Sequence, residues 1–444
     1  MSHDSGRFLA NSSSTLKGTI RVPGDKSISH RSIMFGSLAE GKTKVSGFLE
    51  GDDALATLNA FRAMGVNISD PSDGRLEIQG VGMHGLSAPT VPMDMGNSGT
   101  SMRLISGILA GQKFDAKLVG DASLTKRPMS RVAAPLSLMG GQVLTSENGC
   151  PPLEVKGSKN LVGIEYPMPM ASAQVKSCLL LAGLYAKGET AVIEPAPTRD
   201  HTERMLRAFG CDVTTDNSRI SVQGGSKLTA CEIDVPADIS SATFFMVAAA
   251  IAEGSDVLLT HVGINPTRDG VISILKLMGA DLTLENERMV GGEPVADIRV
   301  KSSQLKGIQI PPNLVPLAID EFPALFIAAA CAEGETILTN AEELRVKESD
   351  RIQVMADGLN QIGVKAKATP DGMIIPGKGG SNKPVFKGGK VAAHGDHRIA
   401  MSFSVAGIRS KKAIEITGCD VVATSFPNFV ELANSLGMNL EVAD

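Results

Sequence analysis

The sequence predicts a mixed α/β (α+β) fold in which six β-α-β-α-β-β repeats are divided, three and three, between two domains. Two recurring signals carry that prediction. A hydrophobic-Gly pair appears at Met64-Gly65, Met139-Gly140, Phe209-Gly210, Met278-Gly279, Ile362-Gly363 and Leu436-Gly437, with steps of 75, 70, 69, 84 and 74 residues between successive glycines. Glycine suits the position just past a helix because it tolerates φ > 0, so each pair reads as a helix end, at a period longer than that of the usual solenoids. The second signal is a Glu-Gly or Lys-Gly stop ahead of a β-branched strand, at Ala39-Glu40-Gly41, Ala186-Lys187-Gly188, Ala252-Glu253-Gly254 and Ala332-Glu333-Gly334. Each repeat therefore reads as a polar start, an Ala/Leu/Met-rich helix, a strand, a second helix and a closing strand. With 444 residues, 43% of them hydrophobic, the chain supports a large core and more than one domain.

Repeats starting near Lys26, Gly99 and Ser172 form the first expected domain, residues 24–237. Those starting near Ser240, Asp320 and His397 form the second, residues 238–444. The chain crosses near Val235-Pro236-Ala237-Asp238, and the early strand Leu16–Val22 is assigned to the second domain, which thus includes residues 1–23. The active site is expected in the cleft between the domains. First helices that point their N-termini at one cleft make it electropositive through their dipoles, so it attracts anions despite a net charge of −5.

Composition narrows the function. No long basic run is present, Trp is absent and aromatics are 4%, which disfavours a nucleic-acid surface. Six cysteines are scattered without a C-x-x-C, so neither a disulfide framework nor a zinc site is indicated, and reduced cytosol is the expected compartment. Apolar runs such as Thr243–Ala252 are far shorter than the roughly 18 residues of a membrane span. Met1–Thr15 has no apolar stretch of the secretory type.

The chemistry is concentrated at the repeat starts. In Lys347-Glu348-Ser349-Asp350-Arg351, within a segment read as helical from Leu344 to Leu359, two cations four apart share a face and repel slightly unless an anion sits between them. Read alone, it is also a solvated charge run. In Pro23-Gly24-Asp25-Lys26-Ser27-Ile28-Ser29-His30-Arg31, Ser27 is the expected cap, Arg31 follows one turn on, and Gly24 lets backbone N–H groups approach a ligand. Asp25 separates Gly24 from Lys26, which departs from a P-loop. Gly96-Asn97-Ser98-Gly99-Thr100-Ser101-Met102-Arg103 suits a tight turn with N–H groups aimed at an oxyanion. Pro128 biases Arg127 toward an extended backbone and suits the first helical position after it. Ser172, Ala173 and Gln174 open the third repeat, where Ser172 and Gln174 are uncharged donors for a hydroxyl or a phosphate oxygen. Thr198-Arg199-Asp200-His201-Thr202-Glu203 also reads as a surface helix start, and Asp320-Glu321 as acids complementing a helix dipole. Gly395-Asp396-His397-Arg398 opens the sixth repeat without metal-ligand spacing. The inventory of Lys26, Arg31, Arg127, Arg199, Lys347, Arg351 and Arg398, with Asp320 and Glu348, fits two phosphorylated or carboxylated small molecules and carboxylates for proton transfer.

In this order, Gly24-Asp25-Lys26-Ser27-Ile28-Ser29-His30-Arg31, Gly96-Asn97-Ser98-Gly99-Thr100, Lys126-Arg127-Pro128, Arg345-Val346-Lys347-Glu348-Ser349-Asp350-Arg351 and Gly395-Asp396-His397-Arg398 resemble the 5-enolpyruvylshikimate-3-phosphate synthase family from Leu16 to Leu440. Ala171-Ser172-Ala173-Gln174 and Arg199-Asp200-His201-Thr202-Glu203 resemble its bacterial class II branch. The resemblance implies the two-domain enolpyruvyl transferase fold, and transfer of the enolpyruvyl group of phosphoenolpyruvate to the 5-hydroxyl of shikimate 3-phosphate with release of phosphate. This is a step of the shikimate pathway to chorismate and the aromatic amino acids, and the target of glyphosate. No metal or organic cofactor is implied. The expected partners are the two substrates alone, with no nucleic acid or membrane, the chain acting as a cytoplasmic monomer.

Carried over by motif, Lys26 touches both substrates, while Ser27 and Arg31 bind shikimate 3-phosphate. Gly99 and Arg127 line the phosphoenolpyruvate site; Ser172 and Ala173 hold the shikimate phosphate, with Gln174 between the ligands. Arg199 and Lys347 reach the shikimate ligand, and Arg351 and Arg398 clamp phosphoenolpyruvate. Asp320 is implied as acceptor of the 5-hydroxyl proton and Glu348 as the proton carrier at the methylene carbon. Where class I members carry a Lys in a late Thr-Ala-Lys-Thr-Phe-Pro stretch, this chain reads Val422-Ala423-Thr424-Ser425-Phe426-Pro427.

Two other readings compete. UDP-N-acetylglucosamine enolpyruvyl transferases share the fold and the phosphoenolpyruvate chemistry. They use Lys-Asn in place of Lys26-Ser27 and place a Cys on a first-domain loop, whereas Gly111–Arg131 holds none here. A non-catalytic anion-binding repeat protein explains the cations but not the placement of Asp320 and Glu348.

Overall fold

The computed structural model describes residues 6–379 and 384–443. Among them are twelve α-helices, two for each repeat: α1 (Lys26–Leu38), α2 (Asp52–Ala63), α3 (Gly99–Ala110), α4 (Ser130–Leu138), α5 (Ala173–Gly183), α6 (His201–Ala208), α7 (Ile239–Ile251), α8 (Gly270–Leu277), α9 (Phe322–Cys331), α10 (Arg351–Gln361), α11 (His397–Ala406) and α12 (Phe429–Ser435). Every even-numbered helix ends just before one of the six hydrophobic-Gly pairs. All six glycines adopt the left-handed conformation, with φ from 81° to 102°, where a Cβ is strained.

Each repeat lays down a small mixed sheet in the same way. The strand after the first helix pairs parallel with an edge strand and antiparallel with a closing strand, which in turn pairs antiparallel with the strand after the second helix. In the second repeat these are Ala116–Val119, its edge Met93–Asp94, the closing strand Leu153–Lys156 and finally Gln142–Leu144. In the fifth repeat the parallel edge is reduced to two bridges, Lys306 with Glu333 and Gln309 with Ile337.

The chain forms two compact units. One comprises Met1–Pro23, Pro236–Met289 and Pro294–Asp444; the other comprises Gly24–Val235 and the short insertion Val290–Glu293. Hydrogen bonds explain where the chain leaves one unit for the other. Val235 N donates to Ser46 O at 2.8 Å, whereas Ala237 N already donates to His261 O at 2.8 Å. Within the discontinuous unit, Lys17–Ile20, inside the stretch Leu16–Val22 read as a strand, runs parallel to Asp256–Gly263 in the fourth sheet. Arg7–Asn11 has no counterpart in that reading. It is the closing strand of the sixth sheet, antiparallel to both Ile414–Thr417 and Asn439–Ala443. Only Phe8 and Ala10 turn inward, too short an alternation to stand out in sequence.

The odd-numbered helices form the cores. α7 and α9 are buried along their whole length, and α11 everywhere except Arg398; the three pack on one another. A sequence such as Phe-Pro-Ala-Leu-Phe-Ile-Ala-Ala-Ala-Cys is apolar all round, so no face of the helix belongs in water. In the other unit α1 is buried except at Lys26 and Ser27, α3 except at Thr100, and α5 except at Ala173 and Gln174. Burial thus leaves these helices accessible only at their N-terminal residues. No helix among the described residues is long and apolar enough to cross a membrane.

α3 and α5 approach closely at Gly107, where an added Cβ would lie 2.2 Å from the Cys178 carbonyl oxygen. Gly107→Ala is therefore expected to force the two backbones apart and to destabilise the unit by roughly 1–3 kcal/mol. A thermal melt checks this, and an unchanged Tm would mean that α3 and α5 are not in backbone contact.

Candidate active site

In the unit containing Gly24–Val235, three helix starts and two loops supply the polar groups. Asp25, not Ser27, caps α1: its carboxylate accepts from Ile28 N at 2.9 Å, which places Lys26 and Ser27 in the first turn. Gly24 serves packing rather than ligand approach, since a Cβ there would meet the Gly47 carbonyl oxygen at 1.7 Å. The Lys26 ammonium pairs with Asp53 on α2. Arg31 is buried and donates to Ser27 O at 2.9 Å, Ser177 Oγ at 2.9 Å and Thr202 Oγ1 at 2.7 Å. Burial pushes its guanidinium down to about 10, with Glu203 opposing and Arg199 adding to the fall, so it stays charged at neutral pH.

The second helix start gathers two more arginines. Ser98 caps α3 through Ser101 N at 3.1 Å. Arg127 donates to Asn97 Oδ1 at 2.6 Å, while Arg103 donates to Gln174 Oε1 and to Pro128 O at 3.1 Å. Gln174 returns a bond to Thr100 Oγ1 at 3.0 Å, joining the starts of α3 and α5. A Cβ built on Gly99 would lie 3.3 Å from Nη1 of both Arg103 and Arg127. Two guanidinium groups converging on one point repel each other, and the arrangement suits an anion that neutralises both. Arg127 has the extended backbone expected of it, but α4 begins only at Ser130, so Pro128 precedes the helix instead of opening it. Ser172 caps α5 through Val175 N at 3.4 Å, and Ala173 and Gln174 follow in its first turn. Arg199 lies in the loop before α6. The segment after it is no surface start: His201, Thr202 and Glu203 are buried.

The other unit centres on Arg351, whose side chain is 1% exposed. Its Nε donates to Asp396 Oδ2 at 2.7 Å, Nη1 to Asp320 Oδ1 at 3.1 Å and Nη2 to Glu348 Oε2 at 2.6 Å. Burial opposes its charge, but Asp396, Glu348 and Asp320 outweigh burial and raise its pKa. Lys347 Nζ lies 3.5 Å from Asp320 Oδ1, and Arg398 Nη1 donates to Asp320 O at 3.0 Å. The expected helix from Leu344 to Leu359 is broken here. A 3-10 turn ends at Val346, Lys347 is extended, and α10 starts at Arg351 behind its cap Asp350. Lys347 and Arg351 meet all the same, because both reach the carboxylate of Asp320. Asp320 and Glu321 do not cap α9 with their side chains: Asp320 turns to the cations, and Glu321 accepts from Ser240 Oγ.

Each predicted site residue thus has a place in one of two constellations. Lys26, Ser27, Arg31, Gly99, Arg127, Ser172, Ala173, Gln174 and Arg199 belong to the first; Asp320, Lys347, Glu348, Arg351 and Arg398 belong to the second. Sequence reasoning passed over Arg103, Asp53 and Asp396. Arg103 carried a legible signal, a cation four residues after the first helical residue, the same spacing as Ser27 to Arg31. Asp53 and Asp396 act as counter-ions from neighbouring elements, which local spacing does not reveal.

A family model described as EPSP synthase (3-phosphoshikimate 1-carboxyvinyltransferase) matches residues 10–432. The 3-phosphoshikimate 1-carboxyvinyltransferase of Methylococcus capsulatus is 65% identical over 436 residues, 98% of either chain. That of Hydrogenovibrio crunogenus is 62% identical over 443 residues, 99% of either chain. A solved structure of EPSP synthase from Acinetobacter baumannii superposes with a TM-score of 0.91 at 63% identity, covering 99% of this chain and 100% of that one.

Beneath the first constellation, His30 Nδ1 lies 2.8 Å from Thr57 Oγ1 and 3.3 Å from Ser101 Oγ, while its buried Nε2 has no hydrogen-bond partner. Burial, then Lys26 and Arg31, hold its pKa well below 6.5, so the folded imidazole is neutral. The unfolded chain takes up this proton near pH 6.5 and the folded chain does not. The contribution is therefore present above about pH 6.5 and is lost as pH falls toward the folded pKa. His30→Gln should flatten the decline of Tm between about pH 7 and pH 5; a decline of the same slope in both proteins would contradict it.

Proposed function

Because the chain belongs to the EPSP synthase family, we propose that Asp320 and Glu348 divide the proton transfers of its reaction. That reaction moves the enolpyruvyl group of phosphoenolpyruvate to the 5-hydroxyl of shikimate 3-phosphate and releases phosphate, within the shikimate pathway to chorismate and the aromatic amino acids. The full-length similarity sets aside the two rival readings. The observation that carries the proposal is the pair of carboxylates, Asp320 and Glu348, on the two terminal nitrogens of one buried guanidinium.

The chemistry is an addition followed by an elimination. A proton joins the methylene carbon of phosphoenolpyruvate while the 5-hydroxyl oxygen bonds to the neighbouring carbon. A proton then leaves the new methyl group as the carbon–oxygen bond to phosphate breaks. Asp320 takes the hydroxyl proton, and Glu348 delivers and later removes the proton at carbon. For these steps to balance, Glu348 starts protonated and Asp320 ionised: the hydroxyl proton taken by Asp320 leaves with phosphate, and Glu348 regains its proton in the elimination.

Lys26, Arg127, Arg351 and Arg398 neutralise the phosphate and carboxylate of phosphoenolpyruvate, and the Gly99 turn lies beside that ligand. Ser27, Arg31, Ser172, Ala173, Gln174, Arg199 and Lys347 hold shikimate 3-phosphate. Both constellations serve the one reaction. The chain is of the class II type and acts as a cytoplasmic monomer. The class assignment is supported by Thr424, which stands where class I members carry a Lys and turns its hydroxyl to Val421 O at 2.7 Å.

Asp320→Asn is expected to lower kcat by roughly 10²–10⁴, the range for loss of a general acid or base, while Arg31→Ala mainly raises KM for shikimate 3-phosphate. Steady-state kinetics decide, and a wild-type kcat for Asp320→Asn would remove Asp320 from the chemistry. At Gly99, a methyl at 3.3 Å from two guanidinium groups must displace them. Gly99→Ala should raise the Ki of glyphosate, the longer molecule, more than the KM of phosphoenolpyruvate. An unchanged ratio of the two constants would place Gly99 outside the discriminating part of the pocket.

A further inference from the structure

We propose that Lys176 is a positioning residue for shikimate 3-phosphate, its buried ammonium fastening the loop that carries Arg199 to the first turns of α5. The proposal rests on the reading of Arg199 as a contact for that substrate. Lys176 lies one turn after Ser172, Ala173 and Gln174 and points inward, with 1% of its side chain exposed. Its Nζ lies 2.6 Å from Glu203 Oε1 on α6, 3.0 Å from Glu194 Oε1 and 3.5 Å from Thr198 O. Glu194 directly follows the strand Glu189–Ile193, and Thr198 directly precedes Arg199. The Thr198 hydroxyl also donates to Glu194. One ammonium therefore gathers both ends of the 194–199 loop and the first turn of α6.

A second strand of the network reaches Arg31. Ser177, next to Lys176, accepts from Arg31 Nη2 at 2.9 Å and lies 2.7 Å from Thr202 Oγ1, which in turn accepts from Arg31 Nε at 2.7 Å. Glu203 faces both cations. Its Oε2 is buried without a hydrogen-bond partner, so the carboxylate is held by charge more than by hydrogen bonds. Arg199 and Arg31 act on each other as like charges. The fastening through Lys176 holds the Arg199 loop in place against that repulsion. A buried lysine is costly wherever an apolar side chain would pack equally well. Loop fastening is the function its three acceptors describe.

The test is steady-state kinetics on Lys176→Met, which keeps length and removes charge, and on Lys176→Arg, which keeps charge. Lys176→Met should raise KM for shikimate 3-phosphate about tenfold, the scale of one charged hydrogen bond. KM for phosphoenolpyruvate and kcat should stay near wild type, and Lys176→Arg should restore most of the loss. Arg199→Ala serves as reference. Adding Lys176→Met to it should cost nothing further, because there is no arginine left to position. An equal rise in both KM values, a fall in kcat alone, or a full additional loss in the double variant would overturn the proposal. So would a wild-type KM in Lys176→Met beside a raised KM in Arg199→Ala. A wild-type KM in Arg199→Ala would instead remove Arg199 from the substrate site, and this role of Lys176 with it. If Lys176→Met does not fold, Lys176→Met with Glu203→Gln removes both charges together and is held to the same outcomes.

Discussion

The constraint on which everything else depends is the complete burial of the inner helices. α7, α9 and nearly all of α11 have no polar face, so they are stable only when each is surrounded by the others and by sheet. In α1, α3, α5 and α11 that burial leaves the first turn as the one place where polar side chains reach solvent or a ligand. The repeat therefore does more than build a core. It delivers helix starts, with their unpaired N–H groups and favourable dipoles for anions, as a by-product of packing. Lys26, Thr100, Gln174 and Arg398 are accessible because they sit where the buried cylinders end.

Charge is then added to this frame in compensated groups. Arg351 meets Asp320, Glu348 and Asp396, and Lys176 meets Glu194 and Glu203. Removing one partner from a buried pair of this kind costs roughly 3–5 kcal/mol, because the other charge is left without compensation. Neither cluster can lose a member cheaply, and each fixes the rotamers of groups that work at its edge. Asp396 illustrates the division of labour: fully buried, it caps α11 through Arg398 N at 3.0 Å while it orients Arg351. The carboxylate that never meets solvent holds steady the ones that do.

The architecture was legible because its punctuation is covalent and local. A glycine past each second helix is needed whatever the tertiary context, so the six hydrophobic-Gly pairs announced six helix ends. The candidate site residues were picked out at helix starts because capping and anion binding are also local properties of sequence. Failures came where a neighbour decides. Ser27 has capping chemistry, yet Asp25 takes the cap because the helix begins two residues earlier. Lys347 and Arg351 suggested one helical face, but a break between them lets both converge on Asp320. Glu203 looked like part of an exposed helix start, and the lysine that makes its burial possible lies 27 residues earlier in the chain. Arg7–Asn11 gave no signal at all, since its partners are at the opposite end of the sequence.

That last strand has a consequence for synthesis. The Gly24–Val235 segment is nearly continuous, and its three sheets draw their strands from that stretch alone. Arg7–Asn11 leaves the ribosome before any of it and then waits for its partner Asn439–Ala443. At translation rates of about 5–20 residues per second, that wait is on the order of 20–90 s. During that interval the central strand exists without its neighbours Ile414–Thr417 and Asn439–Ala443, and both its edges are open to other pairings. The earliest part of the chain is thus among the last to find its place, and the newborn protein is most exposed to chaperones and to misassociation in the unit that is completed last.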